Sequence, residues 1–133
     1  MTRLLLIILL FLSSGPAYAE WVLVGSSEVS GGYIVYADRD TIRRKGNLVK
    51  MWYLVDHKTV QTTSGGVSYL SSKILDEYDC AEERHRLLAF TDFSGNMASS
   101  NVIQSDSQDG SKWKPVEPKS TGHALWEVAC GKQ

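Results

Sequence analysis

Tyr69–Phe93, YLSSKILDEYDC-AEE-RHRLLAFTDF, reads as two strands joined at a polar corner, and the rest of the chain is arranged around it. On the first strand Leu70, Ile74, Tyr78 and Cys80 fall at even positions, with Lys73, Glu77 and Asp79 at odd ones. Strand side chains alternate between faces, so one face is mostly apolar and the other mostly charged. Leu75 departs from this pattern and predicts some cover on the outer face as well. Ala81–Glu83 forms the corner, and Arg84, Arg86, Leu88 and Phe90 lie on the return strand. Cys80 has a single candidate partner, Cys130, close to the end of the chain. A bond between them makes the hairpin the anchor of the C-terminus.

Upstream, Arg3 precedes the apolar run Leu4–Leu12, which is followed by Ser13-Ser14-Gly15-Pro16 and Ala17-Tyr18-Ala19. A basic start, a short apolar run and an A-x-A site describe a secretory signal peptide over residues 1–19. The run is too short for the roughly 20 apolar residues that a spanning helix needs. The expected mature chain, residues 20–133, has 114 of the 133 residues, enough for one domain with a modest core. No cysteine lies near the expected cleavage site, so neither an N-terminal lipid anchor nor a transmembrane segment is expected. The mature part carries 13 basic and 15 acidic residues, a charge of −2 that argues against nucleic-acid binding. Two cysteines in an exported chain most simply form one disulfide.

Within the mature chain, Trp21–Gly25 and Tyr33–Ala37 read as strands separated by the flexible segment Ser26–Gly32. Asp38 to Asn47 reads as a connection in which Asp40 caps one helical turn and Ile42 tucks inwards. Asn47–Asp56 is the clearest strand. Val49, Met51, Tyr53 and Val55 share one face, and Leu48, Lys50, Trp52 and Leu54 share the other. Two mainly apolar faces place it centrally, with material packed on both sides. His57–Gly66 reads as a loop, Ser94-Gly95-Asn96 as a tight turn, Ala98–Gln104 as a strand and Ser105–Ser111 as an exposed loop. Pro115 and Pro118 stiffen the approach to a last helix, capped by Ser120 or Thr121 and ended by Gly131. Leu125, Val128 and Ala129 form its apolar stripe, Trp126 and Cys130 flank the stripe, and Glu127 points to water. The expected fold is α+β: a single antiparallel sheet of about six strands, with a C-terminal helix tied to one face by Cys80–Cys130.

Catalytic patterns are weak. Cys80 with His85 resembles a thiol and its base, but the oxidising compartment and the even cysteine count favour the disulfide. Asp56-His57 with Ser64 or Ser68 lacks a nucleophile elbow. Asp76, Glu77, Asp79, Glu82 and Glu83 read as a solvated edge of charge beside a turn. His57, His85 and His123 have no metal-ligand spacing. No enzyme, cofactor or metal site is therefore expected. Arg39, Arg43, Arg44 and Lys45, with Lys50 just beyond, form the candidate binding surface, since clustered basic groups suit carboxylate, sulfate or phosphate partners. A plain solvated turn is the competing reading.

The order of VYADRDTIRRKGN (Val35–Asn47), VKMWYLVD (Val49–Asp56), YLSSKILDEYDC with Arg86-Leu87, and the closing W-x-P-V-x-P (Trp113–Pro118) before Cys130 resembles the surface-adhesin protein E family. The resemblance spans Trp21 to Cys130. It implies one antiparallel sheet with a C-terminal helix held by the matching cysteine pair. It also implies a small exported bacterial protein; the founding member is a surface lipoprotein that attaches a pathogen to host tissue and binds host matrix and serum proteins. This chain departs from that member in lacking the lipid-accepting cysteine. The expected function is a non-enzymatic exported binding protein with a protein or polyanion partner. The alternative is a periplasmic enzyme inhibitor or accessory protein of the envelope. The periplasm is the expected destination, with secretion or surface association as alternatives, and the oligomeric state is left open, a dimer included.

Overall fold

The computed structural model describes residues 20–108 and 110–131, so the expected signal peptide lies outside the described residues. The strands are β1 (Trp21–Ser27), β2 (Tyr33–Lys45), β3 (Leu48–Thr62), β4 (Ser68–Asp79), β5 (Arg84–Phe93), β6 (Val102–Ser107) and the short β7 (Lys114–Pro115). They form one antiparallel sheet in the order β1-β2-β3-β4-β5-β6, with β7 on the same edge of β5 as β6 but further along. Among the described residues a 3-10 turn, Val29–Gly31, joins β1 to β2, and one α-helix, α1 (Thr121–Cys130), follows the strands. No helix among the described residues is long and apolar enough to cross a membrane.

Cross-strand register shows which side chains share a face. Val35 and Ala37 of β2 stand beside Val55 and Tyr53 of β3, while Val49 and Met51 stand beside Tyr78 and Asp76 of β4. Onto this face α1 packs Leu125, Trp126, Val128, Ala129 and Cys130, closing the core with Val116. The helix lies chiefly across β1, β2 and β3 and reaches β4. Its ends form as expected. The Ser120 hydroxyl accepts from the His123 amide at 3.0 Å, and Gly131 closes the helix in a left-handed conformation, φ 71°. Cys80 and Cys130 are joined, with their Cα atoms 5.7 Å apart. The Trp126 indole N–H donates to the Asp79 carbonyl at 2.9 Å, a second tie beside the disulfide.

The central strand is apolar on both sides, as expected. On the outer face Leu54 is fully buried. Over that end of the sheet the connection 94–101 folds back: the Met97 amide and the Asn96 side chain bond Asp56, and the Ala98 amide donates to the Ser71 hydroxyl. This eight-residue loop replaces the expected tight turn, and β6 starts at Val102 rather than Ala98.

Two further expectations are corrected. Asp38–Asn47 is no helical turn, because β2 runs on to Lys45. Residues 39–42 bulge opposite the single residue Met51. The bulge is held by local bonds: the Asp38 carboxylate accepts from the Asp40 amide at 3.2 Å, and the Thr41 hydroxyl donates to the Asp38 carbonyl at 2.6 Å. Ile42 does pack towards the core. The strands then reverse through Gly46-Asn47, where Gly46 adopts φ 60°. Likewise, β3 continues to Thr62 through a second bulge, so most of the expected loop His57–Gly66 is strand.

Candidate binding surfaces

The predicted basic residues do not form one loop. Because β2 and β3 pair through the turn, Arg43 faces Lys50 and Lys45 faces Leu48 on the outer face, whereas Arg44 faces Val49 on the helix side. Arg43, Lys45, Leu48, Lys50 and the wall residue Glu77 line a groove of about 480 Å³, to which Arg44 also contributes. Among the described residues no salt bridge engages Arg43, Lys45 or Lys50. Glu77 is already held by Arg86, whose Nη2 lies 2.6 Å from Oε1. Arg44 has a different task. Its Nη2 donates to the Cys130 carbonyl at 3.3 Å and lies 3.8 Å from the Cys80 sulfur, placing a cation at the C-terminal end of α1. Arg39 sits exposed in the bulge, has interactions of its own and does not line the groove.

The acidic residues of the hairpin are not a solvated edge. Asp76, Glu77 and Asp79 are all buried, and only Glu82 and Glu83 are exposed at the corner. On the outer face Asp79 pairs with Arg84 at 3.0 Å and Glu77 with Arg86, and both guanidinium groups stack on Trp113. Burial pushes the Asp79 carboxyl up, but Arg84 and the amides of Ala81 and Glu82 outweigh it and hold it below the ordinary carboxylate range.

On the helix face, the part of the sheet beyond α1 forms a cleft of about 680 Å³. Its floor consists of cross-strand rows. Tyr53, Ile74 and Phe90 form the middle row, flanked by Met51-Asp76-Leu87 on one side and Val55-Ser72-Asp92 on the other. The outer wall is the connection from β6 to β7. There the Gln108 amide donates to the Leu88 carbonyl at 2.7 Å, and Lys112 and Lys114 stand exposed at the rim.

Polar groups converge in this cleft. His85 Nδ1 lies 2.9 Å from Asp76 Oδ2. Burial raises the Asp76 carboxyl, opposed by the hydrogen bond and charge of His85 and by Lys114. Asp92 accepts from the Ser72 hydroxyl at 2.5 Å and from Gln104 at 2.7 Å. Burial drives the Tyr53 hydroxyl well up, with Asp76 and Tyr33 adding to it, and burial with Asp92 raises Tyr69, so both stay protonated donors at neutral pH. Beside the cleft His57 stacks edge-on between Tyr33 and Tyr69, and burial lowers its pKa against the pull of Asp56 and Asp92. No group of three or more His, Cys, Asp or Glu side chains placed to hold a metal ion occurs among the described residues.

In the sequence Asp76 reads as part of a solvated edge and His85 as a base or ligand without support, and Asp92 is not among the candidates. One signal could have found Asp76: the even positions that set Ile74 and Tyr78 inwards include it.

A meandering sheet with one helix stapled across half of one face is a disulfide-tied, single-sheet α+β domain with a concavity open on each side. The chain belongs to the surface-adhesin protein E family, whose model matches residues 21–131. Membership makes it an adhesin-like protein, exported or surface-associated. Solved structures share the fold. Crystal form II of Haemophilus influenzae protein E is similar with TM-score 0.59 at 10% identity, over 87% of this chain and 92% of that one. A second Haemophilus influenzae protein E structure gives 0.58 at 10% identity, over 89% and 90%. Protein E from non-typeable Haemophilus influenzae gives 0.56 at 11%, over 86% and 75%. At such identities the likeness establishes the fold alone. No curated protein matches the chain.

Proposed function

We propose that this is a non-enzymatic binding protein, exported after cleavage behind Ala19, which engages host matrix or serum proteins, or the polyanions that accompany them, through the basic groove of Arg43, Lys45 and Lys50. The observation that carries this reading is the cross-strand pair Arg43–Lys50. Like charges directly opposite on a sheet are destabilising. Lys50 also faces Glu77 on β4, but that carboxylate is held by Arg86, and no salt bridge among the described residues engages Arg43, Lys45 or Lys50. With Lys45 on the same face, they make a positive surface in which Arg43 Nη1 donates to the Asp40 and Ile42 carbonyls at 3.0 and 2.9 Å while its charge stays without an ion-pair partner among the described residues. Acidic groups of a partner would fill the groove and relieve that repulsion.

Heparin chromatography tests it. The wild-type protein should be retained and should elute as salt rises, because exposed charges are screened within about 8–10 Å at physiological ionic strength. The triple substitution Arg43→Ala, Lys45→Ala, Lys50→Ala should abolish retention and leave the melting temperature unchanged or slightly raised. Arg44 is kept, since it holds the helix end. A triple variant retained like wild type would place the contact elsewhere.

A further inference from the structure

The cleft beyond α1 is separate from the groove, lies on the opposite face of the sheet and takes no part in the proposal above. We propose that it binds an acidic sugar: a pyranose ring that carries a carboxylate. The inference comes from how charge, apolar surface and unspent hydrogen-bonding capacity are distributed in it.

The volume falls within the range usual for small-ligand sites, and such sites combine apolar lining with a few convergent polar groups. Here Tyr53, Ile74, Phe90 and Leu87 give an aromatic and aliphatic floor suited to the C–H face of a ring. Around it stand groups without a protein partner among the described residues: the hydroxyls of Tyr53 and Tyr69 and the second oxygen of Asp76. These atoms are not sealed in. The buried, unpartnered side-chain atoms among the described residues are His57 Nδ1 and the Tyr78 hydroxyl, so the other three reach the open cleft. Asp76 and Asp92 lie at opposite ends of the floor, separated along the strands by four residues, or about 13 Å. Lys112 and Lys114 stand at the rim.

Each simpler ligand leaves part of this unused. An amine would have to pass two lysines to reach carboxylates already held by His85, Ser72 and Gln104. An aromatic or fatty acid would suit the floor and the lysines, but would desolvate the tyrosine hydroxyls and the free Asp76 oxygen without replacing their hydrogen bonds, which costs affinity for each such group. A neutral sugar would satisfy those groups and forgo both rim charges. A carboxylated pyranose meets all of them: ring hydroxyls donate to Asp76 and accept from Tyr53 and Tyr69, the ring face lies on Phe90 and Tyr53, and the carboxylate reaches Lys112 or Lys114.

The test is an amide chemical-shift titration of the folded, disulfide-bonded protein with methyl β-D-glucuronide and with N-acetylneuraminic acid, the two commonest sources of this chemistry. Methyl β-D-glucoside, glucosamine and benzoate serve as neutral, amine and non-sugar controls. One of the two acids should shift the amides of Ile74, Asp76, His85 and Phe90 saturably, at least about tenfold more tightly than every control. Lys112→Gln with Lys114→Gln, both at exposed positions, should weaken binding by about tenfold or more. Phe90→Leu should weaken both the acid and the residual glucoside binding. The groove triple variant should bind the acid sugar normally, so failure at either surface leaves the other standing. Benzoate or glucosamine binding as well as the acid sugars, shifts that ignore the lysine substitutions, or no shifts with either acid would each overturn the assignment.

Discussion

Replacing Cys80 and Cys130 together by Ala tests what holds the helix to the sheet. The two residues are 50 positions apart, so the bridge closes a loop that includes the return strand β5 of the organising hairpin, β6, β7 and α1. Chain-entropy arithmetic for a loop of about 50 residues gives about 4 kcal/mol at 25 °C, applied to the unfolded chain. The native side should lose little, because the other ties are to backbone atoms: Trp126 to the Asp79 carbonyl and Arg44 to the Cys130 carbonyl. Those bonds survive the substitution. The expected loss is therefore about 4 kcal/mol, out of a total of roughly 5–15 kcal/mol for a small domain. Urea titration followed by tryptophan fluorescence gives both the midpoint and the slope of stability against denaturant. An unfolded chain freed of its cross-link expands and exposes more surface, so the slope should rise while the midpoint falls. A loss below about 1 kcal/mol, or a fall in midpoint with the slope unchanged, would refute the unfolded-state account.

Arg44→Gln should destabilise by about 0.3–1 kcal/mol, the worth of a cation at a helix C-terminus, while Arg43→Gln should stay within about ±0.5 kcal/mol; thermal melts of the two single variants check the contrast. Asp76→Asn should alter the pH dependence of stability in a defined direction. Because the folded carboxyl is raised, the native state holds its proton more tightly than the unfolded chain does. The Asp76 contribution is thus fully present below the unfolded pKa and is lost as pH rises through the folded one. Removing the carboxyl should flatten that decline, measured as denaturant midpoints from pH 3 to 8, and an unchanged profile would show that burial of Asp76 has no net effect.

Alternation made the centre of the fold legible. Val49, Met51, Tyr53 and Val55 against Leu48, Lys50, Trp52 and Leu54 located the middle strand and both of its covered faces, and Ser120 with Gly131 marked the ends of the helix. What escaped was wherever a bulge resets the alternation. Asp38 and Thr41 fold the 39–42 bulge with bonds that look, in sequence, like the start of a turn. Leu88 is the extra residue opposite the Leu75–Asp76 step, so Arg84 and Arg86 face outwards while Phe90 faces the cleft, although all three are even-numbered. The cleft needs three strands in register plus a returning connection, and no local pattern encodes that juxtaposition. The buried acids were missed for a related reason. Their partners, Arg84, His85 and Arg86, lie across the turn, and a run of charge looks solvated until its counter-charges are placed opposite it.

The strand order itself has a consequence for how the molecule is made. Each strand from β1 to β6 pairs with its neighbour in sequence, whereas α1, the last element, packs back on the first two. A chain delivered N-terminus first can therefore zip its hairpins in turn through short-range contacts, the fast part of assembly. Throughout that interval Val35, Ala37, Val49 and Met51 form an apolar sheet face with no lid, the kind of transient surface that invites aggregation. The protein is thus exposed for as long as its final residues lag behind, and the oxidant that joins Cys80 to Cys130 can act only once the C-terminus has arrived.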